Sequence, residues 1–138
     1  MAKARVLAIL IIGALMLSMV GPHLALADPF GKPVNFAPVD NATDIGPTSP
    51  FEFTNTPDGD GDSIYASQWQ WRTTSGNYTQ PLYDTGIFVS TLTRLDVDNG
   101  LYPEGVFAYN TKYYWRVRVQ NDRGEWSAWS DETCFTTI

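Results

Sequence analysis

The chain reads as an all-β protein, a seven-stranded antiparallel sandwich of two sheets. Three observations predict it. Residues Thr111 to Asn121 alternate strictly, with Tyr113, Trp115, Val117 and Val119 on one side and Tyr114, Arg116, Arg118 and Gln120 on the other. That period of two, apolar on one side, is the pattern of a half-buried antiparallel strand. Proline and glycine clusters divide the rest into short runs rich in β-branched and aromatic residues, at the spacing of a sandwich. No window carries a helical period.

Taken in order, the first strand is an irregular one around 33–39, whose prolines suit a sheet edge because proline cannot donate to a ladder. A second follows near 50–56, where Phe51 and Phe53 share a face, and a third near 65–74, where Trp69 and Trp71 do the same. Short strands are expected at 82–85 and 92–97, the long one at 111–121, and the last at 130–137. A one-residue slip of the long strand would bury Arg116 and Arg118, so its register is strongly specified. The predicted core is Phe51, Phe53, Trp69, Trp71, Tyr113, Trp115, Val117 and Val119.

Ahead of this domain, residues 1–27 have the layout of a secretory signal peptide: Lys3 and Arg5, an apolar run from Val6 to Val20, and Ala25-Leu26-Ala27 before Asp28. The apolar run falls a little short of the roughly 18 residues that a membrane span needs. The expected mature chain is one domain, 28–138, exported and secreted or held at the cell surface, with no span of its own. Loss of the leader removes the only histidine, His23, and two basic residues, while all fifteen acidic residues stay, so the net charge moves from −6 to −8. An acidic surface repels phosphate backbones and excludes nucleic acid as a natural partner. Cys134 is the single cysteine and can pair only between chains. Stability must therefore come from packing, a task suited to the five tryptophans, seven tyrosines and seven phenylalanines.

Tyr113-x-Trp115-Arg116-Val117-Arg118-Val119-x-Asn121-x-x-Gly124 resembles the sixth strand and following turn of a fibronectin type III domain, and Phe107-x-x-x-Thr111-x-Tyr113 resembles that family's approach to its tyrosine corner. Pro57-Asp58-Gly59-Asp60, Ser67-Gln68-Trp69-Gln70, Tyr83-Asp84-Thr85-Gly86 and Phe135-Thr136-Thr137 are similar to a prokaryotic branch of these domains, which recur in secreted and cell-surface proteins. The resemblance covers about residues 33–138 and implies an immunoglobulin-like sandwich. It departs at the tryptophan often found in the second strand, whose volume Trp69 and Trp71 are expected to fill.

Trp126-Ser127-Ala128-Trp129-Ser130 resembles the WSxWS box of class I cytokine receptors. In a polyproline-like stretch residues i and i+3 share a face about 9 Å apart, and Arg116 and Arg118 project from one strand face about 6.8 Å apart. Indole and guanidinium planes then interleave, so Trp126, Trp129, Arg116 and Arg118 are expected to form a structural ladder. The same tryptophans are also the candidate platform for a sugar.

Asp58, Asp60 and Asp62 alternate with glycines, a pattern of hard oxygen ligands that suits calcium, although the position that an EF-hand fills with glutamate is Trp69. The competing reading is a solvated turn. The mature chain lacks histidine, which removes Ser-His-Asp and Cys-His devices and the commonest zinc ligand. No enzyme is expected. The function predicted is a non-catalytic structural, adhesive or protein-interaction module, with self-association among its modes. The alternative is a carbohydrate-binding module using aromatics among Tyr78, Tyr83, Tyr102, Phe107 and Tyr109, in which case the partner is a cell-surface glycan. Two triplets, Asn41-Ala42-Thr43 and Asn77-Tyr78-Thr79, fit the N-glycosylation acceptor pattern.

Overall fold

A computed structural model describes residues 30–57, 59–97 and 102–138; residues 1–27, expected from the sequence to be a leader, lie outside them, as does Asp58. Nine strands run in order: β1 Gly31–Ala37, β2 Ala42–Ile45, β3 Phe51–Thr56, β4 Ile64–Arg72, β5 Tyr83–Asp84, β6 Phe88–Val89, β7 Arg94–Leu95, β8 Lys112–Asn121 and β9 Thr133–Thr137. They form a three-stranded sheet, β1-β3-β7, and a six-stranded sheet, β2-β9-β8-β4-β5, with β6 also paired to β4. No residue of the described part is helical.

Three expectations need correcting. The described strands number nine, because the chain makes two extra elements, β2 and β6, where the sequence reading placed connections. The sandwich is also not wholly antiparallel: β2 runs parallel to β9, with Ala42 opposite Phe135 and Ile45 opposite Thr137. The cause is a sheet switch. β1 pairs antiparallel with β3 in the small sheet, and after the cis Ala37–Pro38 bond the chain crosses to the free edge of β9. Residues 39–45 have mixed polarity, without the clean alternation that marks a half-buried strand. The last strand starts at Thr133 rather than Ser130, since 126–132 are extended without regular pairing.

The core forms where the two inner faces meet. Strand β8 alternates as expected: Tyr113, Trp115, Val117 and Val119 are buried, and the residues between them are half-exposed. β4 pairs with it in antiparallel register, Trp69 opposite Val117 and Trp71 opposite Trp115. Three indoles thereby stack nearly parallel, Trp69 with Trp71 at 6.3 Å and 6°, and Trp69 with Trp115 at 5.7 Å and 14°. From the facing sheet, Phe51 meets Trp71 and Trp115 edge-on at 5.1 and 5.3 Å, and Phe53 meets Trp69 at 5.3 Å. Such edge-to-face pairs satisfy the ring quadrupoles and add to simple burial. Trp69 and Trp71 thus fill the space over β3, whose inner residues are phenylalanines.

Three smaller devices close the sandwich. The Tyr113 hydroxyl accepts the Ala108 N–H at 2.7 Å, tying the crossing chain to the start of β8 in the manner of a tyrosine corner. The Asn35 side-chain amide on β1 donates to Thr133 Oγ1 at 2.7 Å and to the Trp115 and Asp131 carbonyls at 3.3 Å, clasping one sheet to the other. In the turn after β8, Asn121 Oδ1 accepts the Arg123 and Glu125 amides, and Gly124 adopts φ 87°, which side chains rarely tolerate.

Candidate functional site

The outer face of the large sheet carries the densest chemistry of the molecule. β4 and β8 are in register there, with Gln68 opposite Arg118 and Gln70 opposite Arg116. Each glutamine oxygen accepts two N–H groups from its arginine: Gln70 Oε1 from Arg116 at 2.9 and 2.7 Å, and Gln68 Oε1 from Arg118 at 2.9 and 2.6 Å. Both glutamine amides then donate to Asp84 on β5, at 2.6 Å from Gln70 and 2.9 Å from Gln68, and the Gly86 N–H adds a bond of 2.7 Å. A relay from arginine through glutamine to aspartate therefore spans three strands.

Above that layer the guanidinium planes are held between rings. Arg118 lies 4.5 Å from the Trp126 ring and 4.7 Å from the Trp129 ring; Arg116 lies 4.1 Å from Trp129 and 4.1 Å from Tyr78; Arg72 lies 5.8 Å from Tyr78. The order is Trp126, Arg118, Trp129, Arg116, Tyr78, Arg72. The serines between the tryptophans fix the spacing. Ser127 and Ser130 donate their backbone N–H groups to the Val119 and Val117 carbonyls at 2.8 Å. Their hydroxyls accept the Val119 and Val117 N–H groups at 3.0 Å. Each serine oxygen stands where a neighbouring strand would present a carbonyl, so the 126–130 stretch completes the β8 edge without being a strand. Buried amides without such partners would be costly.

Charge balance follows from the same contacts. Burial pushes the Asp84 carboxyl up, but hydrogen bonds from Gln70, Gln68 and the Gly86 N–H, with the charge of Arg118, outweigh it and hold Asp84 below the ordinary carboxylate range. Glu132 behaves alike: burial raises it, and Ser75, the Gly76 N–H, Tyr78 and Arg116 bring it below normal. The Tyr78 phenol is pushed far up by burial, next by Glu132, so it keeps its proton.

The structure brings together all four predicted ladder residues. Sequence reading missed the rest of the assembly, namely Arg72, Tyr78, Gln68, Gln70 and Asp84. A signal existed for two of them, since Gln68 and Gln70 alternate with Trp69 and Trp71 and must share a face. Tyr78 was expected among exposed ligand-facing rings and is instead buried, with Tyr102 and Phe107. Tyr102 is anchored by its hydroxyl to the Ser49 carbonyl at 2.9 Å, and Phe107 meets Phe51, Tyr113 and Phe135. Tyr102 and Phe107 are consumed by the core and Tyr78 by the ladder; of that set only Tyr109 is exposed.

The aspartate loop is organised around protein partners. Asp62 has an almost wholly buried side chain, paired with Arg123 through Oδ1 at 2.8 Å and accepting the Asn121 amide through Oδ2 at 2.7 Å. Asp60 is exposed, and Asp58 lies outside the described residues. Among the described residues no group of three His, Cys, Asp or Glu is arranged to hold a metal ion. Nor is any helix there long and apolar enough to cross a membrane.

Residues 96–137, less than half of the chain, match a family described as Rha78A-like, N-terminal immunoglobulin domain. No curated protein matches significantly. Among solved structures, an α-L-rhamnosidase from Dictyoglumus thermophilum aligns at 16% identity with a TM-score of 0.64, covering 80% of this chain and 12% of its own. An α-L-rhamnosidase of Streptomyces avermitilis, complexed with L-rhamnose, aligns at 21% identity and a TM-score of 0.60, covering 78% of this chain and 10% of its own. The chain thus spans only about an eighth and a tenth of those polypeptides. What the likeness establishes, together with the two-sheet architecture, is an immunoglobulin-like fold.

Proposed function

We propose that this chain is a non-catalytic accessory module, exported after loss of its leader, that works by contacting a protein partner outside the cell. The observation that carries this reading is the fate of the aromatic rings on the outer face. Trp129 has a guanidinium on either side, and Tyr78 lies between Arg116 and Arg72, so these ring faces are closed to a sugar. The ladder acts as a rigid brace for the sheet. The fibronectin type III resemblance and the similarity to an N-terminal immunoglobulin domain of rhamnosidase-like proteins support a supporting role beside larger machinery.

Purified residues 28–138 are expected to leave an aryl α-L-rhamnoside unhydrolysed and to give no saturable signal on a glycan array. Turnover of the rhamnoside would overturn the non-catalytic reading. Saturable glycan binding, lost on substitution of an exposed ring such as Tyr109, would replace the protein-contact reading with the carbohydrate-binding one.

A further inference from the structure

Both N-glycosylation triplets lie in described residues with asparagine and threonine exposed, and they differ in how the backbone beneath them is held. Asn41 is tied to β9. Its backbone N–H donates to the Cys134 carbonyl at 2.8 Å, and its side-chain amide donates to Asp40 at 3.0 Å. Its Oδ1 accepts the Cys134 thiol at 3.2 Å, and it sits at φ 62°. The next residue, Ala42, pairs with Phe135 of β9, and Thr43 donates its hydroxyl to Asp44. Presenting that triplet to an enzyme requires peeling β2 from the sheet.

Asn77 is open. It lies in the loop between β4 and β5 where 73–77, 79 and 80 are all exposed. Its Oδ1 accepts the Thr79 N–H at 2.8 Å, and Nδ2 has no partner among the described residues. The loop is fixed on both sides of it. Glu132 accepts from Ser75 Oγ at 2.5 Å and from the Gly76 N–H at 3.1 Å, while Tyr78 packs on Arg116. Because Tyr78 points into the protein, its two neighbours point out. The acceptor nitrogen and the Thr79 hydroxyl are both presented on a raised, anchored turn.

We propose that Asn77 is an N-glycan acceptor in the folded protein and that Asn41 is not, despite an equally good sequence match. The donor class is a polyprenyl-diphosphate-linked oligosaccharide. In the transfer Asn77 Nδ2 forms a bond to the anomeric carbon of the first sugar, the bond from that carbon to the diphosphate oxygen breaks, and one Nδ2 proton leaves to a base of the transferase. The diphosphate carrier departs with the electron pair. The glycan would stand beside Tyr78 at the Arg72 end of the ladder.

The test incubates the folded full chain with an oligosaccharyltransferase that accepts Asn-X-Thr and with its lipid-linked donor, followed by peptide mapping. Synthetic peptides spanning 36–48 and 72–84 serve as unfolded references. Both peptides are expected to be modified. In the folded chain Asn77 is expected to react roughly tenfold or more faster than Asn41, since the latter must first lose the hydrogen bonds that tie it to Cys134 and Asp40. Asn77→Gln and Thr79→Ala should each abolish the product on the folded chain, while Asn41→Gln leaves it. An unmodified Asn77 in the folded chain or in its peptide, or modification of folded Asn41 at a comparable rate, overturns the proposal.

Discussion

Trp129→Ala tests the ladder at its centre. The ring touches two guanidinium groups, Arg116 at 4.1 Å and Arg118 at 4.7 Å. Each contact is worth about 0.5–1 kcal/mol when exposed and up to about 2 when desolvated, so their loss alone removes about 1–4 kcal/mol. For a domain of this size that lowers Tm by on the order of 10 °C. Truncation also exposes apolar surface, so a single mutant cannot separate the two effects. The pair Arg116→Ala and Trp129→Ala, with the double mutant, does so in a cycle read by urea unfolding. The expected coupling is about 0.5–1 kcal/mol. Arg116→Lys should recover little of it, because an ammonium cannot lie flat between rings while donating twice to Gln70. A coupling below about 0.3 kcal/mol, the additivity expected of independent sites, would refute the ladder as an energetic unit.

Ser130→Ala leaves the buried Val117 N–H without its acceptor and should cost about 1–3 kcal/mol, with faster hydrogen exchange at that amide; Ser127→Ala should do the same at Val119. Trp115→Ala, which removes the fully buried indole stacked on Trp69, should cost about 3–5 kcal/mol in urea unfolding. Asp84 and Glu132 are both held below their unfolded values, so their stabilisation is complete above the ordinary carboxylate range and is lost as pH falls through their lowered folded values. Acid unfolding should therefore be shallower in Asp84→Asn than in the parent, measured as Tm from pH 7 to pH 2. Calorimetric titration with Ca²⁺ should be flat, since both Asp62 oxygens are already held; a saturable exotherm would return Asp58, Asp60 and Asp62 to a cation.

The legible parts of the fold were those governed by period-two burial. β3 and β8 each bury one face against a common core and alternate residue by residue, whereas β4 keeps Trp69 and Trp71 on that face while also burying Ser67 and Gln70 from the other. β2 and β6 escape that logic. They are short, lie at sheet edges and earn their pairing from the sheets beside them rather than from an apolar face of their own. At the candidate site, Trp126, Trp129, Arg116 and Arg118 were legible because their spacings match. Tyr78 was not, because its position depends on how the loop 73–82 folds back over β8, which no local pattern encodes. Asp84 was hidden for a related reason. Only the pairing of β5 with β4 sets it opposite Gln70.

The parallel seam between β2 and β9 decides how the domain meets mechanical load. Tension applied across residues 38 and 138 draws the two strands in opposite directions along their own axes. The bonds joining them, Asn41 N–H to the Cys134 carbonyl and Ile138 N–H to the Ile45 carbonyl among them, then stretch together instead of parting one after another. That geometry loads the seam in shear, however modest the area it joins.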